Sequence, residues 1–223
     1  MKALAIDCAV SRLTVSAKND DKFCSAVYDI GMKQSETLVP ALDYVLSKCG
    51  VSKNELDYTV LTVGPGSFTG LRLGISALKA IECAFGTPVY GISSLETYEY
   101  PFLNFDLPVL SCIDANKDKF YARIFNNGKV FLEDGDWDIS KIIEKVSEFN
   151  EIIIAGPDSL KLKEIIQNEN KKIIIRTLNT STLTTQSLFE IAENKIATKT
   201  PPLKDFDGPV YLRASEAELK LEK

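Results

Sequence analysis

Gly64-Pro65-Gly66-Ser67-Phe68 and Gly156-Pro157-Asp158-Ser159-Leu160 are two turns of one kind in a single chain, each between an apolar run and a helical pattern. Upstream of each lies a matching strand end, Ile6-Asp7 in one case and Ile113-Asp114 in the other. The spacings differ, as a longer first helix and longer loops in the first half would require. Outward from these anchors the halves read alike. Lys2–Ile6 is a short apolar run, Leu13, Val15 and Ala17 alternate like a half-buried strand, and Phe23–Tyr28 follows a polar turn. Leu38, Leu42, Val45, Leu46 and Cys49 repeat at helical spacing, with Ser35 the expected N-cap, Gly50 the stop and Pro40 bending the first turns. Tyr58–Val63 reads as a strand buried on both faces, and the helix after the glycine turn runs to about Phe85.

The second half repeats the plan. Strands are predicted at Leu107–Ile113, Phe120–Phe125, Lys129–Leu132, Ile152–Ala155 and Lys172–Arg176. Helices are predicted at Ser140–Phe149, after Gly156, and over Thr185–Ala197. The pattern predicts an α/β chain with a duplicated actin-like (Hsp70/sugar-kinase) fold, two lobes of mixed sheet with flanking helices. The expected division is 1–104, 105–200 and a tail, 201–223, with a last helix capped by Ser215 and Glu218 near the interface.

Composition narrows the chemistry. The chain has 223 residues, 45% of them hydrophobic and 26% charged, which describes an ordinary globular protein. It has no histidine. That removes imidazole bases, Ser-His-Asp and Cys-His nucleophiles, and His-ligated metals. The net charge of −5, without a long basic block, argues against gripping nucleic acid unaided. Five cysteines without C-x-x-C spacing read as reduced thiols. The first strand reaches Asp7 with no room for a signal peptide, and no apolar run matches a membrane span, so the expected compartment is the cytoplasm.

Gly64 to Gly74 is the sharpest motif. It lacks the Gly-Lys-Ser/Thr of a P-loop, and Thr69 replaces the third glycine of a dinucleotide fingerprint. One reading is a tight turn with Ser67 as N-cap. Another rests on Gly70, Gly74 and Ala77, which recur at helical spacing and leave a face without bulk. An internal glycine costs a helix about 1 kcal/mol relative to alanine, so close approach of another element should offset it. Such a face is core within a subunit, or a helix-bundle interface between subunits. Asp7 and Asp114 each end a strand before a turn. They read either as caps of those turns or, as in ATP-binding actin-like proteins, as residues beside metal and phosphates. The turns Cys8-Ala9-Val10-Ser11 and Ala115-Asn116-Lys117-Asp118 contain no glycine to let backbone amides approach phosphate.

Ala5-Ile6-Asp7, Leu38-Val39-Pro40, Gly64 through Gly74, Ile113-Asp114-Ala115 and Pro209-Val210-Tyr211-Leu212-Arg213 together resemble the bacterial TsaB (YeaZ) family, in order and over essentially the whole chain. The resemblance implies a non-catalytic subunit in the formation of threonylcarbamoyladenosine beside the tRNA anticodon. It implies that such a subunit binds and stabilises a catalytic paralogue, TsaD, and helps recruit a small ATPase, TsaE. Pairing through first-lobe helices is implied, with a homodimer when the partner is absent and tRNA contacted only through the complex.

The interface residues expected on this reading are Leu38, Leu42, Leu46, Gly70, Leu71, Arg72, Gly74, Ile75 and Leu78. Ser94-Leu95-Glu96-Thr97-Tyr98 falls where the catalytic relative carries its metal-binding histidines, so no catalytic and no metal-ligating residue is expected here. No cofactor is expected on the chain alone, with ATP or ADP left to a subunit junction. Lys33-Gln34-Ser35, where relatives often have a histidine, reads as a surface change. The rival reading is a glycoprotease-like hydrolase or ATPase acting alone through Asp7 and Asp114.

Overall fold

The computed structural model describes residues 1–177 and 184–213. The expected cap of Ser215 and Glu218 lies outside the described residues. The chain divides into two compact units, 1–94 with 184–210, and 95–177 with 211–213.

In the first unit, β1 (Lys2–Asp7), β2 (Arg12–Asn19) and β3 (Lys22–Asp29) form an antiparallel meander, and β4 (Tyr58–Gly64) and β5 (Val89–Ser93) run parallel to β1. The strand order is β3-β2-β1-β4-β5. β4 is buried at every position, as its uninterrupted strand pattern predicts for a central strand, whereas the edge strand β3 alternates. Helices α1 (Gln34–Cys49) and α2 (Phe68–Phe85) cover one face. Leu4, Ile6, Leu13, Val15, Leu61 and Val63 meet Leu38, Leu42, Val45, Ile75 and Leu78 there. α6 (Thr184–Ala197) covers the other face, where Tyr58 donates to Glu193 and packs edge-on against Phe189.

The second unit repeats this order. β6 (Val109–Asp114), β7 (Lys119–Asn126) and β8 (Lys129–Asp138) form the meander, and β9 (Glu151–Ala155) and β10 (Ile174–Thr177) run parallel, in the order β10-β9-β6-β7-β8. α4 (Ile139–Val146) and α5 (Ser159–Glu169) supply Ile142, Val146, Leu162 and Ile166 to its core. Gly64 and Gly156 stand at equivalent ends of β4 and β9 with φ of +122° and +106°. A Cβ at Gly64 would lie 2.5 Å from the Val210 carbonyl oxygen, and one at Gly156 2.3 Å from that of Cys112. Both positions therefore require glycine.

The expected boundaries need correction. The units part after Ser94 rather than after residue 104, and α6 belongs to the first unit although it follows the last strand of the second. α3 (Ser94–Glu99), which follows β5, lies almost wholly in the second unit, where Glu99 is buried against Arg123 of β7. Each half thus contributes its third helix to the other. Ser35 is not the cap of α1, because a 3-10 turn at Gly31–Lys33 leads straight into it. Among the described residues no helix is long and apolar enough to cross a membrane.

Candidate partner-binding helices and the glycine turn

The glycine motif starts α2 and presses it against the turn after β1. Ser67 caps the helix by accepting from the Gly70 amide at 3.2 Å, and its own amide donates to the Ala9 carbonyl at 2.6 Å. A Cβ on Gly66 would stand 2.2 Å from the Ala9 oxygen, and one on Gly70 2.1 Å from the Cys8 oxygen. One on Gly74 would stand 2.7 Å from the Cys8 sulfur. The bare stripe is filled by residues 8 and 9 of its own unit.

This corrects the interface assignment. Gly70, Leu71, Gly74, Ile75 and Leu78 point inward on α2, and Leu38, Leu42 and Leu46 do so on α1. Helical spacing identified the face that needs a close neighbour, but the neighbour is the hairpin turn. Of the expected interface residues only Arg72 is exposed, and its guanidinium lies 3.7 Å over the Phe68 ring. Gln34 is no surface change either. It is buried and donates from Nε2 to the Val10 carbonyl at 2.7 Å, beside a cavity of about 250 Å³ lined also by Ser35, Ser67, Thr69 and Leu73.

The same two helices carry another face. On α1, Val39 and Tyr44 are 56% and 50% exposed, next to exposed Pro40. On α2, Phe68, Thr69, Ser76, Ala80 and Ala84 form an exposed row of small and apolar side chains, interrupted by Arg72, with Phe85, 49% exposed, at the end of the helix. The core pattern hid this row, because sequence periodicity marks the apolar stripe of a helix and says little about isolated apolar residues opposite it.

Asp7 and Asp114 occupy equivalent strand ends and behave differently. Asp7 is buried, and its Oδ1 accepts from the Ala9 amide at 3.1 Å and the Thr62 hydroxyl at 2.9 Å. Burial pushes its pKa up against these bonds. Asp114 accepts from the Asn116 amide at 2.9 Å and from Lys161 at 2.5 Å. Its partial burial acts upward, but Lys161 and the Asn116 amide outweigh it and hold the pKa below the usual value. Both carboxylates cap their own turns. Ser94 and Tyr98 lie one turn apart on α3, both buried. Among the described residues no group of three or more Cys, Asp or Glu could hold a metal.

The terminal Pro-x-Tyr-Leu-Arg is structural within each unit. The Val210 amide donates to the Val63 carbonyl at 2.7 Å in the first. In the second, Arg213 grips both carboxylate oxygens of Asp136 at 2.8 Å and donates to the Ala115 carbonyl at 2.9 Å. That fork uses the planar geometry that only arginine offers.

Two like halves, each a five-stranded mixed sheet with the same strand order, define the actin-like, sugar-kinase class of fold. A solved glucomannokinase from Arthrobacter shares it with a TM-score of 0.52 and 13% identity, over 86% of this chain and 99% of that one. YeaZ from Pseudomonas aeruginosa matches with a TM-score of 0.70 at 21% identity, over 95% of this chain and 99% of that structure. The family model described as TsaD, tRNA N6-adenosine threonylcarbamoyltransferase, matches residues 31–204. The tRNA threonylcarbamoyladenosine biosynthesis protein TsaB of Bacillus subtilis is 26% identical over 99% of this chain and 97% of its own length. The chain belongs to this threonylcarbamoyltransferase family, within its TsaB (YeaZ) branch.

Proposed function

We propose that the chain is a non-catalytic subunit in the biosynthesis of tRNA threonylcarbamoyladenosine, acting in the cytoplasm by binding and stabilising a catalytic paralogue of the TsaD type. The observation that carries this reading is the outward face of α1 and α2, with Val39, Tyr44, Phe68, Ala80 and Phe85 in solvent on one side of the first unit. A chain without histidine that keeps such a face is equipped for association rather than proton transfer. Small residues along α2 let a partner helix approach closely, with Tyr44 and Phe68 as aromatic anchors. Recruitment of the ATPase TsaE, and contact with tRNA, follow from the assembled complex. Without the partner, the same face pairs two copies. The chain binds no cofactor by itself, and ATP or ADP belongs to a junction between subunits.

Ala80→Arg and Tyr44→Glu, each on an exposed position, test the face. Both variants should fold as the parent does and lose partner binding by at least about a hundredfold in titration calorimetry. Unchanged binding by both would overturn the assignment.

A further inference from the structure

The segment after α6 builds a hydrogen-bonded turn whose tip no described residue of its unit covers. The Leu203 amide donates to the Val89 carbonyl at 2.8 Å, and the Leu203 side chain packs into the first core, over Gly91. A Cβ on Gly91 would meet Leu203 at 3.0 Å, so that glycine makes its seat. The Lys204 amide donates to Asp207 Oδ2 at 2.7 Å, and the Asp207 amide donates back to the Lys204 carbonyl at 3.1 Å. Lys79 of α2 reaches over to the carbonyls of Leu203 at 3.3 Å and Lys204 at 2.8 Å, while paired to Glu82. Phe206 stands at the apex, 100% exposed, between exposed Asp205 and Asp207.

Single exposed apolar residues are common and need no explanation. Phe206 differs in being held out by a turn that is hydrogen-bonded across its base and seated on the core through Leu203. A turn closed by its own hydrogen bonds and seated through Leu203 has less to order on association, which lowers the cost. Its location matters as well. Lys79 lies on the same side of α2 as exposed Arg72 and Cys83, so the turn borders the α2 row on one flank. Leu73, which shares a cavity with Gln34 and Ser35 of α1, marks the other flank.

We infer that Phe206 is an anchor for the protein that docks on α1 and α2, inserting into an apolar pocket of that partner rimmed by lysine or arginine. This rests on the docking reading above and adds a contact outside the two helices. The flanking aspartates select a basic rim. They also disfavour stacking of Phe206 on an RNA base, because a phosphate backbone would meet two carboxylates.

The test uses the full chain and the purified catalytic paralogue. Phe206 touches nothing that holds the fold, so its variants keep the parent's stability. Phe206→Ala should weaken binding at least about tenfold, and Phe206→Trp should retain it and shift the emission of the introduced indole to the blue on titration. Asp205→Lys, which leaves the Lys204–Asp207 bond of the turn in place, should weaken binding and reduce its salt dependence. Binding by Phe206→Ala within twofold of the parent, while Ala80→Arg abolishes it, would overturn the inference and leave the docking reading standing. If Ala80→Arg and Tyr44→Glu both bind normally as well, the reading falls and takes this inference with it. A blue shift in the Phe206→Trp variant that depends only on the chain's own concentration would make a second copy the occupant, and would overturn it too.

Discussion

Cys8 donates its thiol hydrogen to the Gly70 carbonyl at 2.8 Å, tying the residue after β1 to the first turn of α2. The bond sits where the backbones of the hairpin turn and the helix approach too closely for any side chain on Gly66 or Gly70. It also accounts for the thiol itself, which burial pushes up to about 12 and keeps protonated. Cys8 therefore serves as a small donor inside the core.

This contact separates two glycines that the sequence pattern treats alike. At Gly74 a methyl group would meet the Cys8 sulfur, whereas at Gly70 it would meet the Cys8 backbone oxygen. Gly74→Ala should destabilise the chain by about 1–3 kcal/mol through overpacking, less the helix-propensity gain. Cys8→Ala in the same chain should restore much of that loss. Gly70→Ala should cost more than about 3 kcal/mol and gain nothing from Cys8→Ala, since backbone does not yield. Denaturant unfolding of the single and double variants decides it by a double-mutant cycle. Equal rescue at both positions would contradict the geometry.

The two halves, the succession of strands and helices along each, and the glycine turns were legible because each rests on local chemistry. β4 is an uninterrupted strand-like run, Ser67 stands before a helical pattern, and Gly50 ends one with φ of +63°. What covers a face is a non-local fact. The spacing of Gly70 and Gly74 announced a close neighbour and left open whether it was a partner helix or the protein's own hairpin. The exchange of α3 and α6 was hidden for the same reason. Thr185 and Phe189 are as apolar-facing in one unit as they would be in the other, and only contacts such as Ser16 with Thr185 decide between them. Gln34 was misread because a polar side chain gives no sign that a carbonyl at Val10 waits for it.

The equivalent aspartates predict opposite effects of pH. The folded pKa of Asp7 lies above its ordinary value of 3.8, so its contribution to stability is complete below that value and is lost as pH rises through the folded pKa. The folded pKa of Asp114 lies below, so its contribution is complete above 3.8 and is lost as pH falls through the folded pKa. Asp7→Asn keeps an oxygen for the Ala9 amide and the Thr62 hydroxyl, and should flatten the loss on the high-pH side. Asp114→Asn should flatten the loss on the acid side. Asp7→Ala leaves both donors without their acceptor and should cost about 1–3 kcal/mol at every pH. Thermal unfolding of the four proteins from about pH 3 to 8 measures these slopes. The same slope change in both Asn variants would show that the two sites do not differ as described.

The turns at those aspartates also bear on whether the chain binds nucleotide unaided. A phosphate held in the actin-like manner needs free backbone amides at the turns after β1 and β6. In the first turn the Ala9 amide is taken by Asp7, and the Ala9 carbonyl is taken by Ser67. In the second, Asp158 takes the amide of Asp114, Lys119 that of Ala115, and Asp114 that of Asn116. A phosphate would have to displace these bonds and sit beside carboxylates, and among the described residues no lysine or arginine is bonded to Asp7. Titration calorimetry of the purified chain with ATP and magnesium should therefore give no stoichiometric heat at micromolar concentrations. Adding the catalytic paralogue should create any nucleotide site that the assembly has. Stoichiometric binding by the chain alone, abolished by Asp7→Ala, would mean that the first turn opens its amides to phosphate, and would return the chain to the ATPase reading.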